Sequence, residues 1–120
     1  MAQLRDIMTT KVLTTSAERP VAEVTAMMVK ARVGSAVVLQ GSWLAGILTE
    51  RDVLRAAASR SDLTTSPVSQ WMTKDPVTLD ADASAQETLA LMLAKGFRHV
   101  PVTETGRLVG IVSMRDLSIR

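Results

Sequence analysis

Apolar residues recur at three- and four-residue steps from Val21 through Val24 and Met28 to Ala31, and Pro20 stands where the first turn of a helix tolerates a residue without an N–H. The spacing predicts an amphipathic helix with one buried face. Ala85, Leu89, Met92 and Leu93 draw a second stripe of the same kind, and Gly96 supplies a natural helix C-terminus. After each helix the pattern changes to paired β-like runs, 35–39 with 44–48 and 99–103 with 108–112. Gln40-Gly41-Ser42-Trp43 and Glu104-Thr105-Gly106-Arg107 separate the members of each pair, so both pairs are predicted to be hairpins. A short strand is expected before each helix, at 12–15 and 76–79. A closing helix is expected after each hairpin, over 50–59 and, more briefly, from Met114. The order β-α-β-β-α therefore occurs twice.

The two halves are copies. Residues i and i + 64 align without a gap from Leu4/Val68 to Ala56/Arg120, with thirteen identities in fifty-three positions. These include Met8/Met72, Thr9/Thr73, Gly46/Gly110, Ile47/Ile111, Arg51/Arg115 and Asp52/Asp116, and most other positions keep apolar opposite apolar. The first copy is expected over 4–59, the second over 68–120, and a linker over 60–67, where Ser and Thr are frequent and Pro67 ends the run. One copy alone hides too little surface to be stable, since domains near 60 residues bury only about 60 % of their unfolded area. The whole chain, 1–120, is therefore expected to be one α+β module. Its copies would be related by a pseudo-twofold axis, with small sheets face to face, helices outside and two related clefts where the copies meet.

Composition narrows the chemistry. Fourteen basic against twelve acidic residues leave a net charge of +2, with +3 in residues 1–60 and −1 in 61–120, too small an excess to mark a nucleic-acid surface. With one Phe and no Tyr, stacking platforms for bases are scarce, so nucleic acid is not an expected partner. The absence of cysteine removes disulfides, thiolate nucleophiles and zinc-thiolate sites, and a single histidine, His99, excludes a histidine-rich metal centre. No metal is expected. Arg5 and Asp6 interrupt the apolar residues of the N-terminus, and no run approaches the roughly 20 residues a membrane span needs, so a soluble, cytoplasmic chain without membrane contact is expected. No GxxxxGK[ST] loop is present and the hydroxyls of Thr49 and Ser113 have no evident base. The chain is not expected to be an enzyme or to require a cofactor.

Thr49-Glu50-Arg51-Asp52 and Ser113-Met114-Arg115-Asp116 both have the form of a capping box, a hydroxyl N-cap followed three residues later by an acid. That reading suffices for a helix start. The alternative is that the carboxylate accepts hydrogen bonds from a ribose diol while the hydroxyl and the free N–H groups of the helix start hold sugar or phosphate oxygens.

The chain resembles a tandem pair of CBS motifs, named after cystathionine beta-synthase. The likeness is carried by Ile7-Met8-Thr9, Trp71-Met72-Thr73, the segment from Gly96 through Phe97, Arg98 and His99, and the hairpin ends GILTERD at 46–52 and GIVSMRD at 110–116. The resemblance implies a regulatory module that binds adenosine-containing molecules such as AMP, ADP, ATP or S-adenosylmethionine in clefts between the motifs. It also implies a homodimer. Carried over residue by residue, it implies that Asp52 and Thr49 share a cleft with Thr78, Phe97, Arg98 and His99, while Asp116 and Ser113 share theirs with Thr14, Val33, Gly34 and Ser35. An aromatic ring and two potentially cationic groups then favour charged phosphates at Asp52. Several of these residues have plainer readings: Phe97 as a core plug, Arg98 paired with Glu104 or Asp82, His99 packed at the start of a strand.

On this basis the expected function is ligand sensing with a signal passed to a separate regulated protein, since no output segment follows. The alternative is a constitutive dimerisation module with no nucleotide ligand. Leu117 and Ile119, in the short last helix, are expected to be exposed at a dimer contact, and Trp43, in a hairpin turn, to face a partner. Trp71 is expected to pack the segment joining the copies.

Overall fold

The computed structural model describes residues 2–118. Along the chain the elements are α1 (Leu4–Ile7), β1 (Thr14–Thr15), α2 (Val21–Ala31), β2 (Ser35–Gln40), β3 (Trp43–Thr49) and α3 (Glu50–Ala58). A 3-10 turn (Val68–Gln70) leads to β4 (Thr73–Lys74), β5 (Leu79–Asp80), α4 (Ala85–Lys95), β6 (His99–Glu104), β7 (Arg107–Ser113) and α5 (Met114–Ser118). The β-α-β-β-α order is present in both copies.

The chain folds into two compact units, one contiguous (Leu13–Pro76) and one split between the chain ends (Met1–Val12 with Val77–Arg120). In the contiguous unit the sheet order is β1-β2-β3-β4. β1 runs parallel to β2 (Thr14↔Val37, Thr15↔Val38), β2 and β3 form the antiparallel hairpin, and β4 joins the far edge of β3 (Ile47↔Thr73). Central position explains the unbroken apolar run of β2, because Ser35, Ala36, Val37 and Val38 are all buried. The split unit repeats this with β5-β6-β7, and the single bridge of Thr9 to Ile111 takes the place of a fourth strand.

Helix ends follow local chemistry. Ser84 caps α4 by accepting the Glu87 N–H, and Gly96 ends it in the left-handed region at φ 83°. The equivalent end of α2 is Arg32, which takes the same conformation at φ 58° despite its β-carbon. Pro20 occupies the N-cap of α2 and offers no side-chain acceptor, so the first two N–H groups of that helix need others. Ser66 and Leu63 supply them, their carbonyls accepting from Val21 and Ala22, each at 2.9 Å. The stretch 60–67 is thus docked on the start of α2.

The sequence copies and the packed units are cut at different places. The segment that opens the first copy belongs to the split unit: Leu4 and Arg5 donate their N–H groups to Ala83 and Ala81, and Thr9 exchanges two 2.9 Å bonds with Ile111. Sixty-four residues on, Val68 and Ser69 donate to Arg19 and Ala17 in the contiguous unit, so the same bonds form in the reciprocal sense. Each lead-in segment brings a fully buried anchor, Leu4 and Val68, into the core of the unit it joins. Arg5 adds an ion pair with Asp82 and another with Glu104 at 2.9 Å, and these two acids, Asp82 first, push its guanidinium pKa further up.

Leu117 does not behave as expected. It is 5 % exposed and lies in the core of the split unit, because α5 packs back on α4 and seals its own apolar side chain within the unit. Ile119 lies outside the described residues. Trp43 is 57 % exposed at the hairpin end, and Trp71 packs against the core of the contiguous unit.

Candidate functional site

Both Thr/Ser-x-x-Asp motifs stand where a hairpin hands over to a helix. In the contiguous unit, β3 ends at Thr49 directly opposite Ser35 of β2, and the first N–H of α3, on Glu50, donates to the Gly34 carbonyl at 3.0 Å. The split unit copies this geometry, with Ser113 opposite His99 and the Met114 N–H donating to the Arg98 carbonyl at 2.8 Å. Backbone pairing therefore sets Thr49 beside Gly34 and Ser35, next to Val33 in the chain, while the β1 residue Thr14 registers with Val37 two residues further along β2. It sets Ser113 beside Arg98 and His99, while Thr78 directly precedes β5, whose Leu79 registers with Val102 further along β6.

Asp52 is buried, and its carboxylate is held by three donors. Oδ2 accepts the Thr49 N–H at 2.9 Å and the Thr49 hydroxyl at 3.1 Å, which closes the capping box, and Oδ1 accepts from Nη1 of Arg55 at 2.9 Å. The Asp52 N–H returns a weaker 3.4 Å bond to the Thr49 hydroxyl. Such full pairing is what a carboxylate removed from water requires. Asp116 is half-buried and less committed: its Oδ2 accepts the Ser113 N–H at 2.8 Å, and no described donor reaches Oδ1. The capping-box reading thus holds at both motifs, and a carboxylate with about four lone-pair sites retains acceptor capacity at Asp116.

The remaining residues divide clearly. Phe97 is half-buried and packs against the split-unit core, as the plug reading requires. Arg98 is exposed and pairs with neither Glu104 nor Asp82, both of which pair with Arg5 instead. Arg51 and Arg115 are exposed on the first turns of their helices. Thr15, beside Thr14, is buried with a hydroxyl that finds no partner among the described residues. Arg55 was not singled out in the sequence, although its i, i+3 spacing from Asp52 was the available signal. Its guanidinium also lies 5.7 Å from the centroid of the Trp71 ring, a cation–π contact that no spacing rule would have found. Among the described residues no cluster of three or more metal-ligating side chains occurs, and no helix is long and apolar enough to cross a membrane.

Residues 4–59 and 68–119 each match the family model of the CBS domain. The chain belongs to the CBS domain family. As a tandem CBS pair it is 39 % identical over 118 residues to an uncharacterized 17.7 kDa protein of Acidianus ambivalens, a match spanning 97 % of this chain and 71 % of that protein. It is 34 % identical over 120 residues to the CBS domain-containing protein YhcV of Bacillus subtilis, spanning 99 % of this chain and 85 % of that one. Among solved structures, a CBS domain pair in complex with 5'-methylthioadenosine and S-adenosyl-L-methionine superposes with a TM-score of 0.91. That match has 22 % identity and covers 99 % of this chain and 94 % of the other, a likeness of fold.

Proposed function

We propose that this CBS pair is a non-catalytic regulatory module that binds an adenosine-containing ligand at its Thr/Ser-x-x-Asp helix starts and passes occupancy on to a partner protein. The observation that carries the reading is the duplicated helix start. The same hydroxyl, backbone N–H groups and carboxylate recur 64 residues apart, and at Asp116 one carboxylate oxygen has no donor among the described residues. A ribose diol offers two hydroxyl donors of the kind that oxygen accepts. The CBS pair solved with methylthioadenosine and S-adenosylmethionine supports the ligand class. Regulation follows if the ligand favours one of two packings of the module, by the difference in its affinity for them.

The test is a thermal-shift panel of adenosine, AMP, ADP, ATP and S-adenosylmethionine, followed by calorimetry. A ligand at a hundred times its Kd stabilises by about 2.7 kcal/mol, a readily measured shift. No shift with any of them, at millimolar concentration, removes the sensing function.

One observation favours a second reading, a constitutive association module without a nucleotide. Val29 of α2 and Leu93 of α4 occupy equivalent positions in the two copies and are 72 % and 66 % exposed. Apolar side chains repeated at matched places on two helices suit a self-complementary contact. Sedimentation that shows a ligand-independent dimer, together with a flat thermal-shift panel, would select this reading.

A further inference from the structure

We infer that Arg55 is an internal occupant of the Asp52 helix start, a latch that reserves this site for ligands carrying an anionic group. The inference rests on the ribose-binding role proposed above and concerns how one of the two helix starts is regulated.

The Asp52 side chain is 6 % exposed, while that of Arg55 is 58 % exposed. Of the two carboxylate oxygens, Oδ2 is spent on the helix cap, and the Arg55 guanidinium takes Oδ1. A ribose hydroxyl that approaches Oδ1 from the side Arg55 occupies competes with a charged donor, which holds a carboxylate more strongly than a neutral hydroxyl does. The Trp71 ring on the other side favours the same guanidinium position, so the latch is held from two directions within the contiguous unit. A neutral nucleoside would evict Arg55 and give it nothing in return. A phosphate offers the planar guanidinium a new bidentate partner, so the exchange conserves its charge pairing.

Among the described residues the second copy shows no such pairing. The residue equivalent to Arg55 is Ile119, which carries no cation, and no described donor reaches Oδ1 of Asp116. At the position of Arg55 the two helix starts therefore differ: the one at Asp52 has a guanidinium beside its carboxylate and discriminates, and the one at Asp116 has an isoleucine there.

The experiment uses an Asp116→Asn chain, in which Asn can still accept the Ser113 N–H and Asp52 is the remaining site, with adenosine and AMP as probes in calorimetry. AMP should bind more tightly than adenosine. Adding Arg55→Met should raise adenosine affinity by up to about fivefold, the size of a partly exposed ion pair, and shrink the AMP preference. Unchanged adenosine affinity, or an AMP preference that survives the substitution, overturns the latch.

A ligand-independent arm uses Trp43→Phe, which leaves Trp71 as the sole indole. Arg55→Met should then shift Trp71 emission, and AMP should reproduce the shift; an emission maximum indifferent to Arg55→Met also overturns the latch. If the emission shifts with Arg55→Met but no adenosine compound binds the parent chain or any variant, the ribose-binding role itself fails, and the latch has nothing to regulate.

Discussion

The Met72 sulfur lies 2.7 Å from the point where a β-carbon on Gly46 would stand, and the Thr73 carbonyl oxygen lies 2.8 Å from it. Sixty-four residues on, Met8 covers Gly110 in the same manner, with its sulfur at 2.5 Å and the Thr9 carbonyl at 3.0 Å. These glycines are retained because the exchanged lead-in segments approach the hairpins at backbone distance. Gly46→Ala should therefore destabilise by about 2 kcal/mol, within the range for overpacking, since a methionine can yield but a paired carbonyl resists. Gly110→Ala should cost less, because its nearest carbonyl is farther away. Urea denaturation of the two variants checks the order, and equal midpoints would contradict it.

The Thr15 hydroxyl is buried with no partner among the described residues, an arrangement that costs free energy. Thr15→Val keeps the shape and removes the orphan, so a gain of about 1 kcal/mol in unfolding free energy is expected. Loss of stability would mean that the hydroxyl is satisfied in solution.

Asp62 lies in the 60–67 stretch, where its carboxylate accepts the Thr64 hydroxyl at 2.5 Å and the Thr64 N–H at 3.0 Å. The hydroxyl, then the amide, holds its pKa below the ordinary aspartate range. Because the folded-state value is depressed, the associated stability is present above the unfolded pKa and is lost as pH falls through the folded one. Thr64→Ala should raise the Asp62 pKa toward its ordinary value. Carbon-detected titration of the carboxylate, compared between the two chains, gives the answer directly.

Asp116→Asn should weaken adenosine binding more than Asp52→Asn, by at least about threefold, since removing a charged acceptor costs more where it is available. This order is for the uncharged nucleoside and is separate from the sequence-based expectation of phosphate binding at Asp52, which relied on Arg98 and His99. In the structure both lie on or beside β6, whose first residue pairs with Ser113. Calorimetry on the two variants, with adenosine rather than AMP, separates the effects.

Much of this architecture was legible because its signals are local. The stripes of Val21, Val24 and Met28 and of Leu89 and Met92 mark real helices, Gly96 ends one of them, and both hairpins fall within two residues of the predicted runs. The capping boxes were equally legible, since they are i, i+3 patterns. The first strands were less so: pairing starts at Thr14 and Leu79 rather than at Val12 and Pro76, because parallel partners Val37 and Val102 set the register from a distance. The exchange of lead-in segments left no local trace. Its bonds, such as Leu4 to Ala83, span most of the chain, and nothing in Ile7-Met8-Thr9 distinguishes docking on its own hairpin from docking on the other copy's. Leu117 was misread for a similar reason, its cover coming from the rest of a core that periodicity alone does not assemble.

Reciprocal exchange of the lead-in segments bears on how such a gene can be divided. A cut within 60–67 would leave each half-protein missing the plug that fills its own sheet edge and carrying one shaped for its twin. A circular permutant opened between Val12 and Leu13 would instead keep the contiguous unit whole, provided that a tether joined the original termini.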